Sequence, residues 1–255
     1  GVNAVNFCLF IESDNLHIMD AKESCSLVRR YDGRCERCGG RRGRNITVDD
    51  PLVIALFRHG MTPLNKKKAY LGWTDDPLLP EEKKRLSKLA VPAGYERIIT
   101  SELSRTMETA CCLFPARQLT PLACFREMNF GIWEGKTFEE LKGDPYYRKW
   151  LESPEFVTPP EGESFLSFSA RVDQGWKILS TMISKEKVRQ LAVVTHGGVI
   201  RYLLSAYAPE ERDFWSWRIP HGSGYALVWD SITSFRRRQR CTLLREVPLT
   251  EKQHG

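Results

Sequence analysis

From residue 51 onward, short apolar runs alternate with longer amphipathic segments, and this restricts the fold more than any other feature of the chain. The runs at 52–57, Arg97–Thr100, Leu191–Thr195 and Tyr225–Trp229 are too short to be buried helices, and polar or proline residues bound them, so they read as strands. Between them, residues 81–89, 102–113, 137–151, 164–183 and 198–207 have helical spacing. Strands separated by helices predict an α/β fold: a three-layer sandwich whose central, mostly parallel sheet is covered by helices. A length of 255 residues suits one full domain with an appendage. The domain is read as 51–255 and the appendage as a small N-terminal extension, 1–50.

The extension has a different character. Val5–Ile11 and Leu16–Met19 could pair as a hairpin, and "RRYDGRCERCGGRRGRN" reads as a loop from its glycines and charges. Cys35 and Cys38 have the spacing of a zinc knuckle, and Cys8 and Cys25 could complete a structural zinc set. One such pair is a weak signal, and a basic leader is the simpler reading. Cys111, Cys112, Cys124 and Cys241 sit in or beside apolar segments and read as reduced core thiols.

A net charge of +6 with several basic clusters raises the question of nucleic acid, but the clusters lack interleaved aromatics and no binding motif accompanies them. Solvated surface is the better reading, with attraction of small anionic substrates as a secondary effect. No apolar stretch reaches membrane-spanning length and the start lacks the pattern of a secretory leader, so no membrane partner and a cytoplasmic location are expected. The first residue is not methionine, which leaves an upstream segment open. Oligomeric state is also left open.

Three of the four strands end alike, in "FRHGMT", "TSELSR" and "THGGVIR". Ligands of open α/β sheets bind beyond the carboxyl ends of strands, so these polar ends are positioned to converge. Thr62-Pro63 reads as an N-cap and first-turn pair, which would aim free backbone N–H groups at an anion in front of the first strand. Gly197 and Gly198 allow a close backbone approach at a second helix start. Ser101 reads as the cap of the next helix and places Arg105 in its first turn, where the macrodipole disfavours a cation. An anion held between Arg58 and Arg105 would remove that conflict, because guanidinium forks match phosphate oxygens. His59 and His196 occupy equivalent strand ends, each beside a glycine, which suggests shared chemistry rather than two separate scaffold histidines.

Six ordered motifs, "RHGMT" with Asn65, "LGWTDDPL", "SELSRTMETA", "REMNFGIWEG", "PPEGESF" and "VVTHGGVIR", resemble the histidine phosphatase superfamily, also called phosphoglycerate mutase-like, over about residues 52–230. Within it the wording is most similar to the α-ribazole phosphatase and broad-specificity phosphatase branch. The resemblance implies that His59 is a nucleophile that becomes phosphorylated, that Arg58, Arg105 and His196 surround the phosphoryl group, and that Thr62 and Asn65 line the same pocket. Glu127 falls at the family's acid position, and its neighbours Phe125, Met128, Phe130 and Trp133 form a setting that suits a proton donor. Glu163, Ser164 and Gly197 are implied on the substrate side. His221 stands where related chains often carry asparagine, and could contact substrate or only pack.

The chemistry is self-consistent. Attack needs an unprotonated imidazole, and the arginines that bind phosphate also disfavour the imidazolium, so no cofactor or catalytic metal is expected. The resemblance implies hydrolysis of a small-molecule phosphomonoester such as α-ribazole 5′-phosphate, a late step in assembling the lower ligand of cobalamin. A cofactor-dependent phosphoglycerate mutase and a catalytically silent phosphate-binding module are the alternatives. The mutase is disfavoured by the phosphatase-like wording around Glu127 and the modest length of the region, the silent module by the presence of every implied catalytic residue.

Overall fold

The computed structural model describes residues 51–252. Strand β1 (Leu52–Arg58) is followed by a single helical turn, α1 (Pro63–Lys66), and by α2 (Pro80–Ser87). A short β2 (Leu89–Ala90) and β3 (Arg97–Thr100) lead to α3 (Ser104–Leu113) and β4 (Leu119–Pro121). A mostly irregular segment carrying α4 (Phe138–Leu141) and α5 (Pro145–Glu152) then reaches the long α6 (Phe165–Glu186). The chain ends with β5 (Gln190–Thr195), α7 (Gly197–Tyr207), β6 (Gly224–Trp229), α8 (Ile232–Arg236), β7 (Leu243–Glu246) and β8 (Thr250–Glu251).

Six strands form the main sheet in the order β4-β3-β5-β1-β6-β7, while β2 pairs with β8 apart from it. From β4 to β1 the neighbours are parallel; β6 and β7 add antiparallel strands at one side. The register explains why β1 is apolar throughout. Leu52, Ile54 and Leu56 face one core with Leu191, Val193 and Leu227, and α6 and α7 cover it with Val172, Leu179, Ile200 and Leu203. Ala55 and Phe57 face the other with Ala192, Val194 and Ala226, closed by Leu86 of α2 and Ala110 and Leu113 of α3. A strand buried on both faces cannot alternate apolar with polar residues, which is why the run from 52 to 57 reads as continuous.

The structure departs from the sequence reading in several places. The helix expected over 137–151 is two helices, because Asp144 accepts from the Tyr146 N–H as an N-cap and Pro145 restarts the turn. Strands β2, β4, β7 and β8 and the short helix α8, too short or too exposed to stand out, lie outside the expected elements. Of the thiols read as core, Cys241 alone is buried; Cys111 is exposed, Cys112 and Cys124 are intermediate, and all four are free. The hairpin and the zinc set of Cys8, Cys25, Cys35 and Cys38 lie outside the described residues. Among the described residues no helix is long and apolar enough to cross a membrane.

Candidate active site

The carboxyl ends of β1, β3 and β5 are neighbours in the sheet, so the residues that follow them converge. Arg58 ends β1, and the His59 N–H continues the ladder by donating to the Thr195 carbonyl at 2.9 Å. The His59 and His196 rings stand 5.2 Å apart between centroids. Sequence positions far apart in the chain therefore meet in one place.

His59 Nδ1 lies 2.7 Å from the Gly60 carbonyl oxygen. A carbonyl only accepts, so Nδ1 carries the proton and Nε2 is left with the lone pair in the neutral ring. Burial, reinforced by the charges of Arg105, His196, His221 and Arg58, holds the His59 pKa well below the ordinary imidazole value. The neutral ring that a nucleophile requires is thus the favoured form. Gly60 is needed here: a Cβ at this position would come within 2.7 Å of Leu86 and 2.9 Å of Glu82.

Arg105 is the second residue of α3 and is wholly buried. Its Nη1 donates to the Thr74 carbonyl at 2.9 Å, its Nη2 to the Gly72 carbonyl at 2.5 Å, and its Nε to His196 Nδ1 at 3.3 Å. Burial pulls its pKa down to about 10, opposed chiefly by Glu127 and Asp75. The conflict with the helix start is met within the protein rather than left for a ligand. Asp75 accepts from the Ser104 N–H and hydroxyl, capping α3 from another loop. Ser101, expected as that cap, instead lies 2.8 Å from His196 Nε2 and 2.8 Å from the Thr106 hydroxyl. Because Arg105 can only donate, His196 Nδ1 is the acceptor and its Nε2 carries the proton toward Ser101. Burial and Arg105 keep the His196 pKa well below the ordinary value.

A cavity of about 50 Å³ opens in front of His59, and Arg58, Asn65, Lys68, Tyr70, Glu127, Phe130 and His221 are among its walls. Glu127 is buried, with Oε1 accepting from the Met128 N–H at 3.0 Å and Oε2 from the Gly198 N–H at 2.9 Å. Arg58 Nη1 donates to the Ile219 carbonyl at 2.5 Å. His221 stands beside His59 with ring centroids 5.2 Å apart, and its Nδ1 lies 3.2 Å from the His59 carbonyl. Among the described residues no group of three or more His, Cys, Asp or Glu side chains is arranged to hold a metal ion.

Of the residues read as lining the pocket, Asn65 is on the cavity wall, while Thr62, Glu163, Ser164 and Gly197 make the contacts that follow. Thr62 is fully buried and forms a capping box with Asn65, whose Oδ1 accepts from the Thr62 N–H and hydroxyl. Asp76 takes the Leu64 N–H, so the first turn of α1 is satisfied by side chains and does not present open donors to an anion. Glu163 forms a two-pronged ion pair with Arg171, at 2.9 and 2.7 Å. Ser164 caps α6, accepting from the Ser167 N–H. Gly197 makes room for the guanidinium of Arg58, which a Cβ would approach within 3.3 Å.

The sequence reading did not single out Arg171, Trp73 or Lys68. Arg171 donates to the carbonyls of Cys124, Arg126 and Glu127 while holding Glu163, and Trp73 Nε1 donates to the Glu127 carbonyl at 2.9 Å. These contacts fix the loop that carries Glu127. Spacing gives no signal for them, because the carbonyl partners are distant in sequence.

The family profile described as histidine phosphatase superfamily, branch 1, matches residues 54–239. An adenosylcobalamin/α-ribazole phosphatase of Escherichia coli (strain K12) is 29% identical over 191 residues, 71% of this chain and 89% of that protein. Among solved structures, the α-ribazole phosphatase of Shigella flexneri superposes with a TM-score of 0.61 at 25% identity, covering 69% of this chain and 90% of that one. A phosphoglycerate mutase of Thermus thermophilus does so with a TM-score of 0.55 at 30% identity, covering 78% of this chain and all of that one, 100%. A profile that runs from the first strand past the last catalytic motif, over a buried cluster of His196, Arg105 and Ser101 beside His59, shows that the chain belongs to the histidine phosphatase superfamily, branch 1, and is a phosphatase of that kind.

Proposed function

We propose that the enzyme hydrolyses a small-molecule phosphomonoester through a phosphohistidine on His59, and that α-ribazole 5′-phosphate is a substrate. The observation that carries the reading is the Nδ1 hydrogen bond of His59 to the Gly60 carbonyl, which leaves the lone pair on Nε2, beside a cavity whose walls include His59 and Glu127. In the first step Nε2 forms a bond to phosphorus as the ester oxygen leaves, taking a proton from Glu127. In the second, water attacks the phosphohistidine, Glu127 accepts its proton, and phosphate departs with Nε2 restored. Arg58 and Arg105 stabilise the charge on the phosphoryl oxygens, and Arg105 retains an N–H on each terminal nitrogen beyond those given to Gly72 and Thr74. His196, held between Ser101 and Arg105, orients that guanidinium.

The α-ribazole assignment is supported by the names of the relatives from E. coli and S. flexneri. A panel of α-ribazole 5′-phosphate, phosphoglycerates and nucleotides, with acid-quench trapping of phosphohistidine, tests both levels. Release of phosphate by the wild type and its loss in His59→Ala are expected. Interconversion of phosphoglycerates faster than their hydrolysis would replace the reading with a mutase. Binding of phosphate esters without turnover or a trapped intermediate would replace it with a silent module.

A further inference from the structure

The peptide unit between Gly60 and Met61 is hydrogen-bonded at both ends. Its carbonyl accepts the His59 Nδ1–H at 2.7 Å, and its N–H donates to Glu82 Oε1 at 3.2 Å. A carboxylate is thus joined to the imidazole of the proposed nucleophile through a single amide. The flanking groups are also held. The Gly60 N–H donates to Thr109 Oγ1 of α3 at 2.9 Å, and the Met61 carbonyl accepts from the Leu79 N–H at 3.0 Å, where α2 begins. The peptide cannot turn without breaking contacts to both helices.

Glu82 is more than an acid at a helix start. Two acids occupy the first turn of α2, where the macrodipole favours them, and they differ in setting. Glu81 is exposed and pairs with Lys66. Glu82 is buried and packs on the glycine beside the imidazole, so closely that a Cβ at Gly60 would come within 2.9 Å of its Cγ and 3.0 Å of its Oε1. A helix start is served by an acid in solvent and gains nothing from one buried at the end of β1. Arg85 holds both oxygens of Glu82, at 2.8 and 2.7 Å. Burial opposes ionisation, but the hydrogen bonds and charge of Arg85 outweigh it and keep the carboxyl below its ordinary pKa. An anion is therefore maintained behind the amide.

The direction of the chain matters. Hydrogen bonds in series polarise one another, so a carboxylate on the N–H of an amide makes its carbonyl a stronger acceptor. When Nε2 bonds to phosphorus and Nδ1 keeps its hydrogen, the ring gains positive charge, and a stronger acceptor at Nδ1–H stabilises that state more than the neutral ring. Only such a difference lowers a barrier. We infer that Glu82 is a positioning residue for phosphoryl transfer: acting through the Gly60–Met61 peptide, its carboxylate fixes the His59 ring as the Nδ1–H tautomer and stabilises the charge the ring acquires on phosphorylation. No proton passes to Glu82. The inference rests on the reading of His59 as the nucleophile.

The test follows single-turnover release of nitrophenolate from p-nitrophenyl phosphate with the full chain in excess, because this leaving group needs no proton and the step at His59 is seen alone. Glu82→Gln keeps an acceptor for the Met61 N–H but carries no charge. Its rate should fall by about tenfold, which corresponds to about 1.4 kcal/mol, while its Kd for inorganic phosphate stays within about twofold of wild type. The His59 Nδ1–H proton resonance at neutral pH should move upfield with it. Arg85→Gln breaks the same ion pair and leaves the carboxylate; its rate should stay within about twofold of wild type, with no upfield shift. If the ion pair only holds α2 in place, both variants lose rate together, and that result overturns the inference. So does a Glu82→Gln protein with unchanged rate and resonance, or one whose phosphate affinity falls in step with its rate. Wild type that yields no phosphohistidine on acid quench would remove His59 as nucleophile and this inference with it, whereas a trapped phosphohistidine with Glu82→Gln equal to wild type removes the role of Glu82 alone.

Discussion

At the scale of single residues, chemistry is set by which nitrogen of each imidazole holds its proton. Gly60 settles this for His59 and Arg105 settles it for His196, in both cases because the partner can only accept or only donate. Since burial and nearby cations depress the His59 pKa, the proposed nucleophile stays neutral well into the acid range, and kcat/KM for wild type should show no loss assignable to His59 between about pH 6.5 and neutrality. Arg105→Met removes the second-largest cause of that depression and should move the His59 titration upward, which ring-nitrogen chemical shifts measure directly. No change in the His59 midpoint would show that burial alone sets it. Ser101→Ala tests the other imidazole. It leaves the His196 Nε2–H without its partner, and a loss of roughly 1–3 kcal/mol in stability is expected from that unsatisfied donor, read by urea unfolding. A decrease of about tenfold in kcat should accompany it if the orientation of Arg105 relaxes by about 1.4 kcal/mol in the transition state.

At the scale of elements, the site depends on how helix starts are filled. Gly198 in the first turn of α7 leaves space for the Glu127 carboxylate, and a Cβ there would come within 2.3 Å of Oε1. Gly198→Ala should therefore displace the proposed acid. Its kcat should fall by about 100-fold or more for alkyl phosphates, at the low end of what general acid catalysis supplies, with a much smaller effect on p-nitrophenyl phosphate, whose leaving group needs no proton. An equal loss for both substrates would assign the effect to phosphoryl binding and remove Glu127 from the acid role. The sequence made this level only partly legible. His59, Arg105 and His196 could be found because each follows a strand and because motif order ties them together. Ser101 stands where a helix cap is expected but serves His196 instead, since the competing carboxylate, Asp75, lies in a separate loop. Arg171 lies in mid-helix with ordinary spacing, and its role comes from the Cys124, Arg126 and Glu127 carbonyls, which only the folded chain brings to it. Apolar periodicity carries across the break that Asp144-Pro145 imposes, so the sequence does not separate α5 from α4.

At the scale of the whole molecule, the same burial that keeps His59 neutral burdens the fold in acid. His59 and His196 both lie in the interior with depressed pKa values, whereas in the unfolded chain each titrates near about 6.5. Below that pH the unfolded state binds protons that the folded state refuses, so stability rises with pH across this range and is lost as pH falls from about 6.5 toward the folded values. The limiting slope is about 1.4 kcal/mol per pH unit for each imidazole, hence about 3 kcal/mol for the pair. Glu82, whose pKa is lowered by Arg85 against the opposing effect of burial, adds a loss in the same direction, but only near and below the ordinary carboxylate range. The interval between about pH 5.5 and 6.5 therefore isolates the histidines from the carboxylates. Urea unfolding across that interval should give a falling midpoint for the wild type and a shallower fall for His196→Gln, which keeps a hydrogen-bonding side chain but cannot take up a proton. Identical pH dependence in the two proteins would mean that His196 is protonated in the fold, and the neutral cluster proposed around the phosphoryl site would have to be redrawn with a cation at its centre.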